Sequence, residues 1–410
     1  MSLVVTADPH SLGFDATRLQ RIGTHFRKYV DDGRLPNWSI ALARQGELAY
    51  VDTYGFSNIA EEKPMALDTI VRAYSMTKPI TAVAAMILWE QGAFELHHSV
   101  RRYIPAFGTS KVWTGGTAEA PEVTEQTNKM ELWHLLTHTA GLTYGFMYAH
   151  PVDAMYRAAG FDFGAQTNAS LEEVCNTWAQ LPLLFQPGTE WNYSVALDVV
   201  GRVIEVVSGM SLDEFFRTQI FEPLGMTDTA FFVPEHKRSR LAHLYHPTGK
   251  TRKAQQLDTL AEVPMSTPPF LGGGGGLATT LSDYHTFAEM LRGNGSVNGT
   301  RILGSRTVEF MRQNHLPGGV DLSAFGRSLF SETTYDGVGF GLGMSVTIDP
   351  VKAKIPGRAG EYGWGGAAST TFFIDPLEDI SCVFLTQLLP SSTHPISSEL
   401  KQLVNQALID

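Results

Sequence analysis

The sequence predicts an α/β (α+β) protein: an antiparallel sheet built from both chain ends and flanked by helices, plus a mostly helical lobe. Three observations predict it. Strand patterns sit near residues 39–55 and again beyond residue 340, helical patterns fill the middle, and both termini carry helices. A two-strand hairpin alone is barely stable, so strands from the two ends must share one sheet. The terminal helices then cover a face of that sheet.

Element by element, Asp15 caps a first helix in which Leu19, Ile22, Phe26, Tyr29 and Val30 recur at helical spacing, and Gly33 ends it. SIALARQGELAYVDTYG (39–55) alternates around Gln45-Gly46-Glu47 and reads as a β-hairpin. A helix follows from about Ser75 to Gln91, stopped by Gly92. Further helices are expected near 131–138, 170–180, 195–208 and 211–220. LATTLSDYHTFAEMLRGNG (277–295) reads as a helix capped by Ser282 and closed by Gly293. Strands are expected at 340–348, 369–375 and 380–388, and a last helix at about 394–408. The chain divides into an α/β lobe, approximately 1–78 with 277–410, and a mainly helical lobe, approximately 79–276, within one unit spanning 1–410. A ligand site is expected between the lobes.

With 410 residues, 43% of them hydrophobic, the chain can bury a large core. A net charge of −11 and the lack of a basic run argue against nucleic acid. No stretch reaches eighteen apolar residues, so no membrane span is expected. MSLVVTADPHSLGFD lacks the charge and apolar run of a secretory signal. Cys175 and Cys382 have no metal or redox spacing and read as buried free thiols in a reducing compartment. The expected location is the cytoplasm.

The chemistry begins at YSMTKPITAVAAMILWEQG, from residue 74. Ser75 and Lys78 are one helical turn apart on one face. A serine is a weak nucleophile until a base takes its proton, and a lysine serves if burial or cationic neighbours lower its pKa. The helix N-terminus stabilises negative charge, and Pro79 is tolerated in the first turn. Alone the pattern is weak. It recurs at Ser398-Glu399-Leu400-Lys401, and it fits a plain N-cap with an outward-reaching lysine.

An ordered series strengthens it. After residues 72–78 come LLTHTAGL (135–142), PGTEWNYSVALDVVGRVIEVVSG (187–209), a glycine run leading into LATTLSD (277–283), and GWGGAASTTFFIDP (363–376). Over roughly residues 15–405 this series resembles the serine β-lactamase and penicillin-binding-protein superfamily. Within it, the best match is the class C β-lactamase-like esterases, the family VIII carboxylesterases. The resemblance implies a β-lactamase-like fold and a serine hydrolase that cleaves esters of short to medium acyl chains, with no cofactor and a small-molecule ester as partner. It implies Ser75 as the acylated nucleophile, and Lys78 and Tyr193 in proton transfer, leaving open which is the base. It places Trp364, Gly365 and Gly366 on the strand lining the site, and an oxyanion contact at the N–H of Ala367 beside that of Ser75.

Two departures bear on substrate. The lysine of the superfamily's Lys-Thr-Gly is Trp364 here, and the asparagine of its Tyr-x-Asn is Val195. An apolar wall replaces groups that would recognise a β-lactam, so neutral, hydrophobic esters are expected to be better substrates than penicillins. Acyl transfer to an alcohol, weak β-lactamase and D-aminopeptidase activity are the alternatives on the same residues. Oligomeric state is left open.

Other signals are weaker. His134 and His138, four apart, suggest zinc, but Leu135 stands where a zinc hydrolase has glutamate. The resemblance instead makes LLTHTAGL a helix end with Gly141 as its C-cap. Gly272–Gly276 lacks the Gly-Lys-Ser/Thr of a phosphate loop and reads as a flexible border of the cleft. No Gly-x-Ser-x-Gly elbow is present.

Overall fold

The structure, a computed structural model, describes residues 3–163, 168–259, 262–327 and 335–409. Helix α1 (Ala16–Asp31) starts where the Asp15 side chain accepts the Arg18 N–H, and it buries Leu19, Ile22, Phe26 and Tyr29. Gln45 and Gly46, both at positive φ, turn β1 (Asn37–Arg44) into β2 (Glu47–Asn58). A short β3 (Lys63–Pro64) extends this edge. From the far end of the chain come β4 (Val338–Phe340), β5 (Ser345–Thr347), β6 (Tyr362–Gly365), β7 (Thr371–Asp375) and β8 (Ile380–Leu385). Together they form one eight-stranded antiparallel sheet in the order β4-β5-β6-β7-β8-β1-β2-β3.

The seam between β1 and β8 joins the chain ends, in a register from Ser39 opposite Leu385 to Arg44 opposite Ile380. Alternation along these strands feeds two cores. On the outer face Trp38, Ile40, Leu42, Phe373, Cys382 and Phe384 meet α1 and the C-terminal helix. On the inner face Ala41, Ala43, Phe372, Val383 and Leu385 join the core that holds α2 (Thr77–Glu90), α3 (Leu132–Leu136), α4 (Ala196–Ser208) and α5 (Leu281–Arg292). The C-terminal helix is α6 (Ile396–Asn405). A two-strand ladder of Val71–Arg72 with Ala278–Thr279 ties the chain on either side of the middle region. Both cysteines are buried free thiols, and burial raises their pKa. Among the described residues no helix is long and apolar enough to cross a membrane.

Several boundaries differ from expectation, each for a local reason. The strand expected at 340–348 is the β4–β5 hairpin, bent at Gly343 with φ +76°. The strand expected from 369 begins at Thr371, because Ser369 has φ +66°. Thr280, not Ser282, caps α5 by accepting the Asp283 N–H. α3 ends at Thr137, and Gly141 instead makes a turn against the carbonyl of Phe185. The middle region also holds strand pairs unforeseen from sequence, Lys111–Gly116 with Pro121–Glu125 and Tyr245–Thr248 with Lys253–Gln256.

Candidate active site

Ser75 lies in a single 3-10 turn, Tyr74–Met76, just ahead of α2 rather than inside it. Tyr74 takes φ +46°, a left-handed conformation uncommon for a bulky residue and frequent where a functional group is presented. Behind the turn, every residue of α2 from Thr77 to Leu88 is buried, so the turn that carries Ser75 is anchored in the core. Three hydrogen bonds fasten it. Tyr284 Oη donates to the Met76 carbonyl at 2.9 Å, Leu277 N–H to Thr77 Oγ1 at 3.2 Å, and Thr81 Oγ1 to the Gly273 carbonyl at 2.6 Å.

The structure brings Ser75, Lys78 and Tyr193 together. Lys78 Nζ donates to Ser75 Oγ at 3.1 Å, and Tyr193 Oη donates to the same oxygen at 2.6 Å. Lys78 is fully buried, donates also to the Gly274 carbonyl at 2.6 Å, and lies 4.6 Å from the centre of the Tyr193 ring. Burial disfavours the ammonium and drives its pKa down to about 7, a fall that the Asp198 carboxylate opposes. Burial raises the Tyr193 pKa, opposed by its hydrogen bonds with Ser75 and Trp364.

Trp364 closes the other side, its Nε1 donating to Tyr193 Oη at 3.4 Å. Gly366 is a glycine by necessity. A Cβ there would lie 2.4 Å from the Ala73 carbonyl oxygen and 2.3 Å from Thr370 Oγ1, so only glycine lets the end of β6 press against the turn carrying Ser75. Gly365, Gly366 and Ala367 line one cleft with Ser75, Tyr193 and Trp364. The cleft encloses about 210 Å³, and Phe146 and Phe163 form an apolar flank.

Three neighbours were not placed at this site from sequence, one of them, His138, having been weighed only as a zinc ligand. Asp198 on α4 accepts the Gly274 N–H at 2.8 Å, so one glycine links this carboxylate to Lys78. A Cβ at Gly274 would meet Asp198 Oδ2 at 2.4 Å. The glycine run is thus wedged between α2 and α4, where a flexible border had been expected. Burial raises the Asp198 pKa and Lys78 opposes the rise. Tyr144 is buried beside both groups. The available signal for Asp198 was one acid between Leu197 and Val199 on an apolar helix start. His138 is the third. It lies past the end of α3 at φ +57°, its ring 4.9 Å from that of Tyr193 and its Nδ1 3.1 Å from Ser194 Oγ. His134 stays on α3, where its Nδ1 accepts the Glu131 N–H at 3.1 Å. The two histidines therefore do not share one helical face.

A hydroxyl held by a low-pKa amine and a phenol beside a glycine-edged strand is equipped for nucleophilic attack on a carbonyl. The beta-lactamase family model matches residues 22–406. The chain belongs to the beta-lactamase family. Within this family it is 31% identical to Esterase EstB of Burkholderia gladioli, over 92% of this chain and 93% of that protein. It is 29% identical to the lovastatin esterase of Penicillium rubens, over 92% and 95%. The solved structure of EstCE1, a hydrolase with promiscuous acyltransferase activity, matches with a TM-score of 0.79 and 28% identity, covering 98% of this chain and 99% of that one. The beta-lactamase-like fold inferred from the motif series is therefore the fold of the chain. Trp364 and Val195, which depart from the superfamily's motifs, are both buried, Val195 at the start of α4.

Proposed function

We propose that the protein is a serine carboxylesterase of the family VIII type, acting on neutral esters of short to medium acyl chains. Ser75 Oγ attacks the ester carbonyl and Lys78 Nζ takes its proton. The alcohol leaves with a proton delivered through Tyr193 Oη, and water then releases the acyl group from Ser75. The N–H groups of Ser75 and Ala367 receive the oxyanion. A depressed ammonium pKa supports Lys78 as the base, and a raised phenol pKa supports Tyr193 as a proton carrier that stays neutral. The reading is carried by one observation: Tyr193 Oη and Lys78 Nζ converge on Ser75 Oγ at 2.6 and 3.1 Å at the cleft. The two named esterases among its relatives support the reaction class, and Trp364 in place of a lysine supports uncharged substrates. The reducing compartment that suits two buried free thiols supports a cytoplasmic location.

The test is p-nitrophenyl butyrate hydrolysis together with a fluorophosphonate probe. We expect turnover and a single adduct on Ser75, both lost in Ser75→Ala with the fold intact; turnover retained in that variant would mean another nucleophile. Acyl transfer is the second reading, favoured by the likeness to EstCE1. Added alcohol decides it: new ester accumulating faster than free acid marks a transferase.

A further inference from the structure

LLTHTAGL (135–142) puts a histidine between two threonines, and the fold buries all three, Thr137, His138 and Thr139. His138 has φ +57°, a left-handed conformation that histidine adopts more readily than most residues, and its ring packs on that of Tyr193. The segment carrying Tyr193 is laced by its backbone to the chain around His138. The Asn192 N–H donates to the His138 carbonyl at 3.0 Å, Asn192 Nδ2 to the Leu142 carbonyl at 3.0 Å, and the Val195 N–H to the Thr143 carbonyl at 3.4 Å. Tyr193 lies between these fastenings, so its backbone is fixed. Its ring still turns on two side-chain bonds unless something lies against it.

The His138 imidazole lies against it. The ring centres are 4.9 Å apart, closer than Tyr144 at 5.4 Å, Trp364 at 5.6 Å or Trp191 at 6.3 Å come to the same phenol. His138 is itself pinned. Its Nδ1 meets Ser194 Oγ at 3.1 Å, and Trp191 and Phe340 stand steeply to its plane at 6.0 and 5.5 Å. Ser194 Oγ accepts the Ala196 N–H at 3.4 Å and has its own proton to give. Nδ1 is then the acceptor, and the ring proton sits on Nε2. Nε2 is buried with no hydrogen-bond partner among the described residues. A relay needs a partner at both ring nitrogens, so this histidine is not built to pass a proton. Burial, helped by the Lys78 charge, holds its pKa well below the usual value, so the ring is neutral.

We infer that His138 is a positioning residue for Tyr193. By packing on the phenol and bonding to the next residue, it holds Tyr193 Oη where a proton can pass to the leaving alcohol; the inference rests on the esterase reading. The tolerance is small, because Tyr193 Oη must stay 2.6 Å from Ser75 Oγ.

The test uses the leaving group. p-Nitrophenolate departs as a stable anion, whereas ethoxide is a strong base and must take a proton as it leaves. The readout is the kcat/KM of ethyl butyrate divided by that of p-nitrophenyl butyrate, two esters with one acyl group. His138→Asn suits the left-handed turn and can still reach Ser194, but it takes the ring away from Tyr193; the ratio should fall about tenfold. Ser194→Ala unpins the imidazole and should lower the ratio about fivefold. It carries the test if His138→Asn fails to fold. Tyr193→Phe should lower the ratio further than either. Plain loss of folded protein slows both esters alike and leaves the ratio where it was. A ratio within twofold of the parent in the variants that fold therefore overturns the positioning role alone. A ratio unmoved in Tyr193→Phe overturns the proton path through Tyr193 and this inference with it. Neither ester turned over by the parent protein overturns the esterase reading as well.

Discussion

Lys78 is the residue on which the proposed chemistry turns, because a buried ammonium is costly and a neutral amine is a base. With its pKa near 7, the base is unprotonated above that pH and blocked below it. kcat/KM of the free enzyme should therefore fall on the acid side with a midpoint near 7. The Asp198 carboxylate favours the ammonium, so Asp198→Asn should lower the Lys78 pKa and move the midpoint to lower pH; a pH–rate profile of both proteins checks the sign. A midpoint below about 5.5 in the parent would exclude Lys78 as the base and point to a carboxylate or to a buried imidazole such as His138, whose pKa burial lowers. Lys78→Ala and Tyr193→Phe should each cost at least about 10³ in kcat, and the double variant little more, because the groups act on one proton. Independent additive losses would separate them into unrelated roles. Ser75, Lys78 and Tyr193 were legible in sequence through motif order. Asp198 was not, since one acid in an apolar helix carries no spacing, and its link to Lys78 passes through the backbone of Gly274, 76 positions away.

At the scale of elements, the site depends on how closely β6 approaches the turn ahead of α2. Gly366 sets that distance. An added methyl would strike the Ala73 carbonyl, a backbone atom with no rotamer to yield, so the strand itself must move. A shift of this kind carries Ala367 N–H away from the oxyanion position proposed for it. Gly366→Ala should thus lose about 10²-fold in kcat with a smaller change in KM, because misplacing a group by an ångström costs that much. Steady-state kinetics with a thermal melt would tell a displaced strand from an unfolded one; kcat within threefold of the parent would mean the contact is slack. The same elements show what periodicity conveys. Helices with a clear apolar face, such as α1 and α4, were read close to their true bounds. Ends were misread where one φ decided them: Ser369 and Gly343 turn the chain, and neither changes the hydrophobic pattern. The strand pair Lys111–Gly116 with Pro121–Glu125 went unseen because it buries little: one strand is wholly exposed and the other buries only Val112.

For the molecule as a whole, the decisive event is the meeting of its ends. The sheet closes only when β8 lies beside β1, across more than 330 residues of intervening chain. The sequence implied this from stability alone, since the N-terminal two-strand hairpin is barely stable by itself. The side chains that reward the closure are on the outer face. Phe384 of β8 packs at 4.7 Å from the ring of Phe26 on α1 and stacks 6.1 Å from Trp38 of β1. It is fully buried, and it lies in the outer core, separate from the inner core that holds Tyr193 and Trp364. Phe384→Ala should destabilise the fold by about 3–5 kcal/mol, the usual result of emptying an aromatic site in a close-packed core. Because this seam is separated from Ser75 by the sheet itself, the variant that remains folded should keep its kcat. Urea denaturation of parent and variant, with kcat normalised to folded protein, measures both quantities together. A loss of kcat at full folding would mean that the outer core tunes the cleft, and a loss of stability under 1 kcal/mol would mean that the ends are held together elsewhere.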